Sequence, residues 1–325
     1  MLLPLLAPLI ASSDVHHVPI RACCADLSAG AWDTCMNRRN LLKGSLLGAG
    51  VMLLRPMLAM ASIRASAEAR LAALERRHGG RLGVAILDTG SGCRIVRRGS
   101  ERFLMCSTFK LLAVAAVLAR VDRGSESLQR RIVFGEQALL AYAPVTSRRA
   151  GAPGMTVAEL CEAAITLSDN TAANLLLTSL GGPLEVTRFV RDLGDSVTRL
   201  DRIEPELNVG APGDIRDTTT PDAMLATVHR LLLGGALSDA SCAQLVSWLR
   251  DCSTGRDKLR AGVPADWRAG DKTGSGAHGE SNDVAVFWPP RRRPLLVTAY
   301  YAGSAADSQQ RSAVLAEVGR IAASV

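Results

Sequence analysis

A lysine stands at the start of a long apolar run near the middle of the chain, in the segment MCSTFKLLAVAAVLAR over residues 105–120. Every residue from Leu111 to Ala119 is apolar, which predicts a helix that is buried on all sides. Lys110 belongs to this helix, and an unpaired ammonium is costly to bury unless it gives up its proton. The fold must therefore bring polar partners to Lys110. Ser107, one helical turn earlier, is the first of them.

Strands are predicted at both ends of the chain. Residues 82–87 and 93–97 form a hairpin pattern around a turn at 88–92, and the segments DWRAGDKTG, NDVAVFWPP and PLLVTAYYA predict three more strands. Helical patterns cover the middle, residues 65–78 and residues 306–323. We therefore predict an α/β (α+β) fold with one antiparallel five-stranded sheet from both chain ends, flanked by helices, and an all-helical lobe. We expect the site in the cleft between the two lobes.

Composition narrows the classes of function. The chain has 325 residues, 48% hydrophobic and 21% charged, which is typical of globular proteins. The net charge of +7 comes without a basic stripe, so we expect no nucleic-acid partner. The five histidines show neither HExxH nor HxH, and we expect no metal ion and no other cofactor. The cysteines after residue 65 are irregularly spaced and lack a CxxC pair, so we expect no disulfide.

Residues 1–65 are predicted to be a leader. From Met36 the chain runs MNRRNLLKGSLLGAG, with the pair Arg38 and Arg39 before a mildly apolar run and small residues suited to cleavage. This resembles a twin-arginine export signal; the alternatives are a membrane anchor or an ordinary secretory signal. The apolar run is too short to span a bilayer comfortably, so we expect no stable anchor. We also expect translation to begin at Met36, with residues 1–35 outside the natural product.

Three short motifs predict the chemistry: S-x-x-K from Ser107 to Lys110, S-D-N at 168–170 and K-T-G at 272–274. A serine hydroxyl is a weak nucleophile unless a base takes its proton, and a buried lysine with a lowered pKa can be that base. Each motif alone is weak, because S-D-N also suits a helix cap or a turn. Together and in this order, they are the signature of class A β-lactamases and penicillin-binding proteins.

From about residue 66 to its end, the chain resembles a class A serine β-lactamase, specifically a twin-arginine-exported member of the broad-spectrum or cephalosporinase-like kind. The segment RLDRIEPELNVGAPGDIRDTTT contains what resembles the omega loop of that family, at 199–217. The resemblance implies that Glu204 activates the water that hydrolyses the acyl-enzyme, that Asn208 helps to hold this water, and that the bond from Glu204 to Pro205 is cis. It also implies an ion pair that closes the loop, between Arg202 and Asp217.

The resemblance assigns the remaining roles. Ser107 would attack the lactam carbonyl, with Lys110 and Glu204 sharing the work of the base. Ser168 would pass a proton to the lactam nitrogen, and the backbone N–H groups of Ser107 and Ser275 would form the oxyanion hole. The predicted substrate-binding residues are Tyr142, Asn170, Asn208, Lys272, Thr273, Gly274 and Ser275. A further cation that assists carboxylate binding is left open among Lys258, Arg260 and Arg311.

The implied function is hydrolysis of penicillins and cephalosporins through a serine acyl-enzyme, which confers β-lactam resistance. One alternative is a D,D-peptidase, which would not need Glu204; another is a penicillin sensor that stays acylated. We expect a periplasmic or secreted monomer, whose partners are the β-lactam and the twin-arginine export machinery. The predicted α/β lobe comprises residues 66–99 and 255–325, and the helical lobe comprises residues 100–254.

Overall fold

The computed structural model describes residues 60–211 and 213–325. The predicted twin-arginine segment lies outside the described residues. The helices are α1 (60–78), α2 (Phe109–Asp122), α3 (Val157–Thr166), α4 (Asn170–Leu180), α5 (Pro183–Asp192), α6 (Pro221–Leu233), α7 (Asp239–Arg250) and α8 (Ser308–Ala323). The strands are β1 (Arg81–Asp88), β2 (Arg94–Arg97), β3 (Phe103–Leu104), β4 (Arg131–Ile132), β5 (Met155–Thr156), β6 (Thr218–Thr219), β7 (Arg268–Ser275), β8 (Ser281–Trp288) and β9 (Leu295–Ala302).

The main sheet has five strands in the order β2-β1-β9-β8-β7, and all neighbouring strands are antiparallel. The N-terminal strands β1 and β2 therefore join the C-terminal strands through the β1–β9 pair. This confirms the predicted five-stranded sheet from both chain ends. Strand β7, which contains the K-T-G motif, lies at one edge of the sheet, and β8 is its only partner among the described strands.

The two faces of the sheet bury different sets of side chains, because successive residues of a strand point to opposite faces. On β8, Val284 and Val286 belong to a core cluster formed mainly with α2, α3, α4, α6 and α7. Ala285 and Phe287 belong to a second cluster formed with α1 and α8. The sheet is thus covered by the terminal helices on one side and by the helical part of the chain on the other.

Helix α2 is the buried helix that the apolar run predicts. Its residues from Phe109 to Ala119 are all buried, including Lys110. It contacts α3, α4, α5 and α7, which surround it within the helical part of the chain. A helix with apolar residues on every face gains stability only in such an environment.

Side-chain caps fix the starts of several helices. Thr156 and Glu159 form a capping box at the start of α3, and Asp307 and Gln310 form another at the start of α8. The final helix therefore begins two residues later than the predicted start at 306, because Asp307 takes the cap position. These caps satisfy backbone N–H groups that have no partner within the helix.

The middle of the chain is mainly helical, but it also contains two short antiparallel strand pairs, β3–β6 and β4–β5. The prediction of an all-helical lobe therefore missed these four short strands. The division into lobes at residues 99 and 255 stays a prediction. None of the helices over the described residues combines the length and the apolarity needed to cross a bilayer.

Candidate active site

Ser107 lies in a single 3-10 turn, Cys106–Thr108, that leads directly into α2. Cys106 has a φ of 46°, a left-handed conformation that costs energy for a residue with a side chain. Strand β7 passes close to this turn: a Cβ on Gly274 would lie 2.7 Å from the Met105 carbonyl oxygen and 3.2 Å from the Ser107 nitrogen. The glycine of K-T-G therefore allows the strand to approach the serine.

Lys110 is fully buried and surrounded by polar partners. Its Nζ donates to the Ser168 carbonyl oxygen at 2.8 Å and to Asn170 Oδ1 at 2.6 Å, and it lies 3.3 Å from Ser168 Oγ. Burial lowers the pKa of Lys110 to about 8; the Glu204 carboxylate opposes this shift, and the Lys272 ammonium adds to it. Lys110 is therefore still mainly protonated at neutral pH, but its neutral fraction is far larger than that of an ordinary lysine.

Glu204 lies between the serine and the lysine. Its Oε1 accepts from Ser107 Oγ at 3.1 Å and lies 3.0 Å from Lys110 Nζ. Asn174 on α4 fixes the main chain of Glu204 from both sides, donating to its carbonyl at 2.8 Å and accepting from its N–H at 2.9 Å. The Glu204–Pro205 bond is cis, as predicted. Asn174 thus fixes the main-chain position from which the Glu204 side chain extends toward Ser107.

Asn208 is the second polar side chain of the loop at this place. Its Nδ2 donates to Glu204 Oε2, while its Oδ1 is buried and accepts no hydrogen bond from the described residues. A buried acceptor of this kind normally finds a partner. The pair of Glu204 and Asn208 can therefore accept both hydrogens of one water molecule.

Ser168 lies between two lysines. Its Oγ accepts from Lys272 Nζ at 3.0 Å and lies 3.3 Å from Lys110 Nζ, and its φ of 59° is left-handed. The next residue, Asp169, is buried and accepts from the backbone N–H groups of Val145 and Ala172, which joins this turn to the start of α4. Ser168 is therefore a hydroxyl held in a fixed, strained turn between two proton donors.

Ser107, Ser168 and Asn208 border a cleft of about 390 Å³, and Lys110 and Glu204 are buried beside it. It brings together residues from three predicted motifs and from the loop. The lining residues are Ser107, Tyr142, Ser168, Asn170, Asn208, Thr254, Asp257, Lys258, Thr273, Gly274 and Ser275. Tyr142 is half-exposed at its wall, and the Tyr142 carbonyl accepts from the Asn170 N–H at 3.0 Å.

The three candidate cations behave differently. Lys258 lines the cleft, and its Nζ donates to Ser312 Oγ at 3.0 Å. Arg260 forms an ion pair with the buried Asp271 instead, and Arg311 donates to a backbone carbonyl. Only Lys258 of the three is therefore available to a ligand in the cleft.

A buried ion pair closes the loop that contains Glu204. Asp217 is fully buried and contacts Arg202 Nε, and its other oxygen accepts from the N–H groups of Asp201 and Arg202 at 2.7 and 2.9 Å. The structure thus joins the two ends of the segment 201–217 at one carboxylate. All predicted site residues therefore lie in this cleft, beneath it or at the base of this loop.

The sequence motifs did not predict the roles of three residues at this site. Thr254 lines the cleft and its hydroxyl lies 2.6 Å from that of Thr273; Asp169 fixes the serine turn; Asn174 fixes Glu204. Asn174 had a detectable signal, because it lies one helical turn after Asn170 on the same face. Thr254 had none, since only tertiary packing brings it to strand β7.

Known proteins resemble the chain along most of its length. The sequence profile of the Beta-lactamase enzyme family matches residues 66–325. Beta-lactamase L2 of Stenotrophomonas maltophilia is 48% identical over 88% of this chain and 97% of its own, and beta-lactamase OXY-1 of Klebsiella oxytoca is 46% identical over 82% and 92%. A solved ancestral class A beta-lactamase matches with a TM-score of 0.77 and 64% identity over 78% of this chain and 98% of its own. The chain therefore belongs to the beta-lactamase enzyme family, as a class A serine β-lactamase that hydrolyses β-lactams.

Proposed function

We propose that Ser107 is the nucleophile, and that Lys110 and Glu204 share the removal of its proton. The observation that best supports this is the position of Glu204 Oε1, 3.1 Å from Ser107 Oγ and 3.0 Å from Lys110 Nζ. One carboxylate oxygen thus links nucleophile and lysine, within the distance that general base catalysis requires. Attack on the lactam carbonyl opens the ring and gives an ester on Ser107. The backbone N–H groups of Ser107 and Ser275 donate to the lactam carbonyl oxygen and stabilise the negative charge that develops on it. Each such donor stabilises the transition state by about 3–4 kcal/mol.

Ser168 is the proton relay to the lactam nitrogen. Its hydroxyl lies within hydrogen-bond distance of both Lys110 and Lys272, so it can give its proton to the nitrogen as the C–N bond breaks and regain one from a lysine. The left-handed turn at Ser168 keeps the hydroxyl at this place without help from substrate.

Glu204 then acts alone in deacylation. It removes a proton from a water that also donates to Asn208 Oδ1, the buried acceptor without a partner among the described residues. The water attacks the ester carbonyl, and Ser107 leaves with a proton. A D,D-peptidase would not need this carboxylate, and a penicillin sensor would not use it; both alternatives are disfavoured by Glu204 in the site.

Binding of the substrate uses both ends of the cleft. The carboxylate binds Lys272, Thr273, Ser275 and the additional cation Lys258 through charge-assisted hydrogen bonds. At the other end, Asn170 binds the side-chain amide: its Oδ1 accepts from Lys110, which leaves the Nδ2 donor for the substrate carbonyl. Tyr142 forms the wall. The substrates are penicillins and cephalosporins, and the enzyme confers resistance to them.

The proposed setting is the periplasm or the exterior of the cell, reached through the twin-arginine machinery, with the enzyme as a monomer. Export in the folded state agrees with the five cysteines of the described residues, all of which are free thiols. Sequencing the N-terminus of the exported protein tests this: processing after residue 61 or 67 supports it, and retention of the pair Arg38–Arg39 contradicts it.

The proposal is tested by intact-mass spectrometry of the purified enzyme mixed with benzylpenicillin, with penicilloate assayed in the same solution. A transient adduct with steadily accumulating penicilloate is expected. A stoichiometric adduct that lasts for hours would instead indicate a penicillin-binding protein or a sensor. The Ser107→Ala variant is the control, and it should show neither adduct nor penicilloate.

A further inference from the structure

The end of the cleft that binds the carboxylate contains an acidic side chain without a role in the proposed mechanism. Asp257 is the one carboxylate among the described residues that line the cleft. It is exposed, whereas the next residue, Lys258, is buried. Over residues 60–211 and 213–325, no cationic group lies within ion-pair distance of Asp257. Its negative charge is therefore left without a partner at the mouth of the site.

The cationic side chains near Asp257 do not pair with it. Lys258 Nζ donates to Ser312 and Lys272 Nζ donates to Ser168, so each ammonium is held by a hydroxyl group rather than by Asp257. Arg256 is exposed and is not among the residues that line the cleft. An unpaired carboxylate thus lines the same cleft as Lys258, one of the cations proposed to bind the substrate carboxylate. Such a group repels that carboxylate, and it attracts a positive charge located elsewhere on the same substrate.

Cephalosporins can bring this charge. The ring carbon that bears their carboxylate is bonded to the carbon that bears the C3 substituent. A carboxylate bound by Lys258 and Lys272 therefore positions the C3 substituent at the same end of the cleft, near Thr254 and Asp257. We propose that Asp257 is a specificity-determining residue, which favours cephalosporins with a cationic C3 substituent, such as a pyridinium or quaternary ammonium group, over those with a neutral one. This inference rests on the carboxylate position in the proposed function.

The effect is expected to be moderate, because Asp257 is exposed. Ion pairs at exposed positions change an equilibrium by about two- to fivefold. They are also screened by salt, since the Debye length falls from about 10 Å at 0.1 M to about 3 Å at 1 M. A preference caused by Asp257 must therefore weaken as salt is added, whereas a preference caused by shape would not.

The test compares two cephalosporins with the same side chain on the lactam: cephaloridine, with a pyridiniummethyl group at C3, and cephalothin, with a neutral acetoxymethyl group. The ratio of their kcat/KM values is measured at low salt for the wild-type enzyme, for Asp257→Asn, and for Asp266→Asn. The last is a control that removes an exposed negative charge away from the cleft. Asp257→Glu keeps the charge.

We expect the ratio of cephaloridine to cephalothin to fall about two- to fivefold in Asp257→Asn, to stay unchanged in Asp266→Asn and to be largely retained in Asp257→Glu. The difference between wild type and Asp257→Asn should shrink at 1 M salt. An unchanged ratio in Asp257→Asn, with both compounds hydrolysed, would overturn this inference alone. If the wild-type enzyme hydrolysed neither compound, the cephalosporin part of the proposed function would be overturned, and this inference with it.

Discussion

Lys110 and Glu204 form an ion pair that is fully buried at both ends, with 3.0 Å between Nζ and Oε1. Removing two charges from water is expensive, and their attraction repays this cost only in part. A site like this is retained for its chemistry rather than for stability. The pair also sets the protonation of the lysine, because the Glu204 carboxylate opposes the lowering of the pKa of Lys110 by burial.

The pH dependence of acylation should follow Lys110. In Glu204→Gln, Lys110 is the remaining base, and its pKa should fall below the wild-type value of about 8, because the carboxylate that raises it is gone. Lys110 acts as a base only after losing its proton, so the acylation rate should rise with pH, with a midpoint below about pH 8, and level off above that midpoint. Single-turnover acylation, followed by intact mass from pH 5 to 9.5, measures this. A rate that is flat or falls across this range would contradict the role of Lys110.

The buried pair of Lys110 and Glu204 should affect the free energy of unfolding. Lys110→Met leaves Glu204 buried without its cation, which should lower the free energy of unfolding by about 3–5 kcal/mol. Lys110→Met with Glu204→Gln removes both charges, and this double variant should be more stable than Lys110→Met, by at least about 2 kcal/mol. Urea unfolding of the four proteins of this double-mutant cycle gives the coupling energy. Additive effects of the two changes would mean that the pair does not interact.

The loop that contains Glu204 should depend on Asp217. Asp217 has a φ of 56°, which asparagine also tolerates, so Asp217→Asn tests the charge and the hydrogen bonds without new backbone strain. We expect a loss of about 2–4 kcal/mol in the free energy of unfolding, since Arg202 loses its buried partner. Deacylation should slow more than acylation. Asp214 forms a partly exposed ion pair with Arg216 in the same loop, so Asp214→Asn is the matched control and should leave both rates unchanged.

Lys258 should affect binding of the carboxylate rather than chemistry. Removing a charge-assisted hydrogen bond of about 1.5–3 kcal/mol predicts a KM for benzylpenicillin raised about ten- to a hundredfold in Lys258→Met, with a much smaller change in kcat. Arg311→Met should leave KM unchanged. Arg260→Met should lower stability instead, because it leaves the buried Asp271 without its partner. An unchanged KM in Lys258→Met would show that another group binds the carboxylate.

Much of the fold and of the site follows from the sequence, for reasons visible in single residues. The run after Lys110 predicts a buried helix, and the strand patterns near both chain ends predict one sheet that joins them. The order of Ser107, Ser168 and Lys272 along the chain identifies the chemistry. Tertiary packing decides the rest. Nothing local distinguishes Lys258 from Arg260, two residues later, until Asp271 engages only the arginine.

The most direct test of the central claim, that Glu204 activates the deacylating water, is the lifetime of the benzylpenicillin adduct in Glu204→Gln compared with Glu206→Gln. Glu206 is an exposed glutamate two residues further along the same loop, so the second variant controls for the loss of one loop charge. We expect an adduct on Ser107 of Glu204→Gln that persists for minutes to hours, while Glu206→Gln turns over like the wild type. Rapid turnover of Glu204→Gln at the wild-type rate would contradict the account.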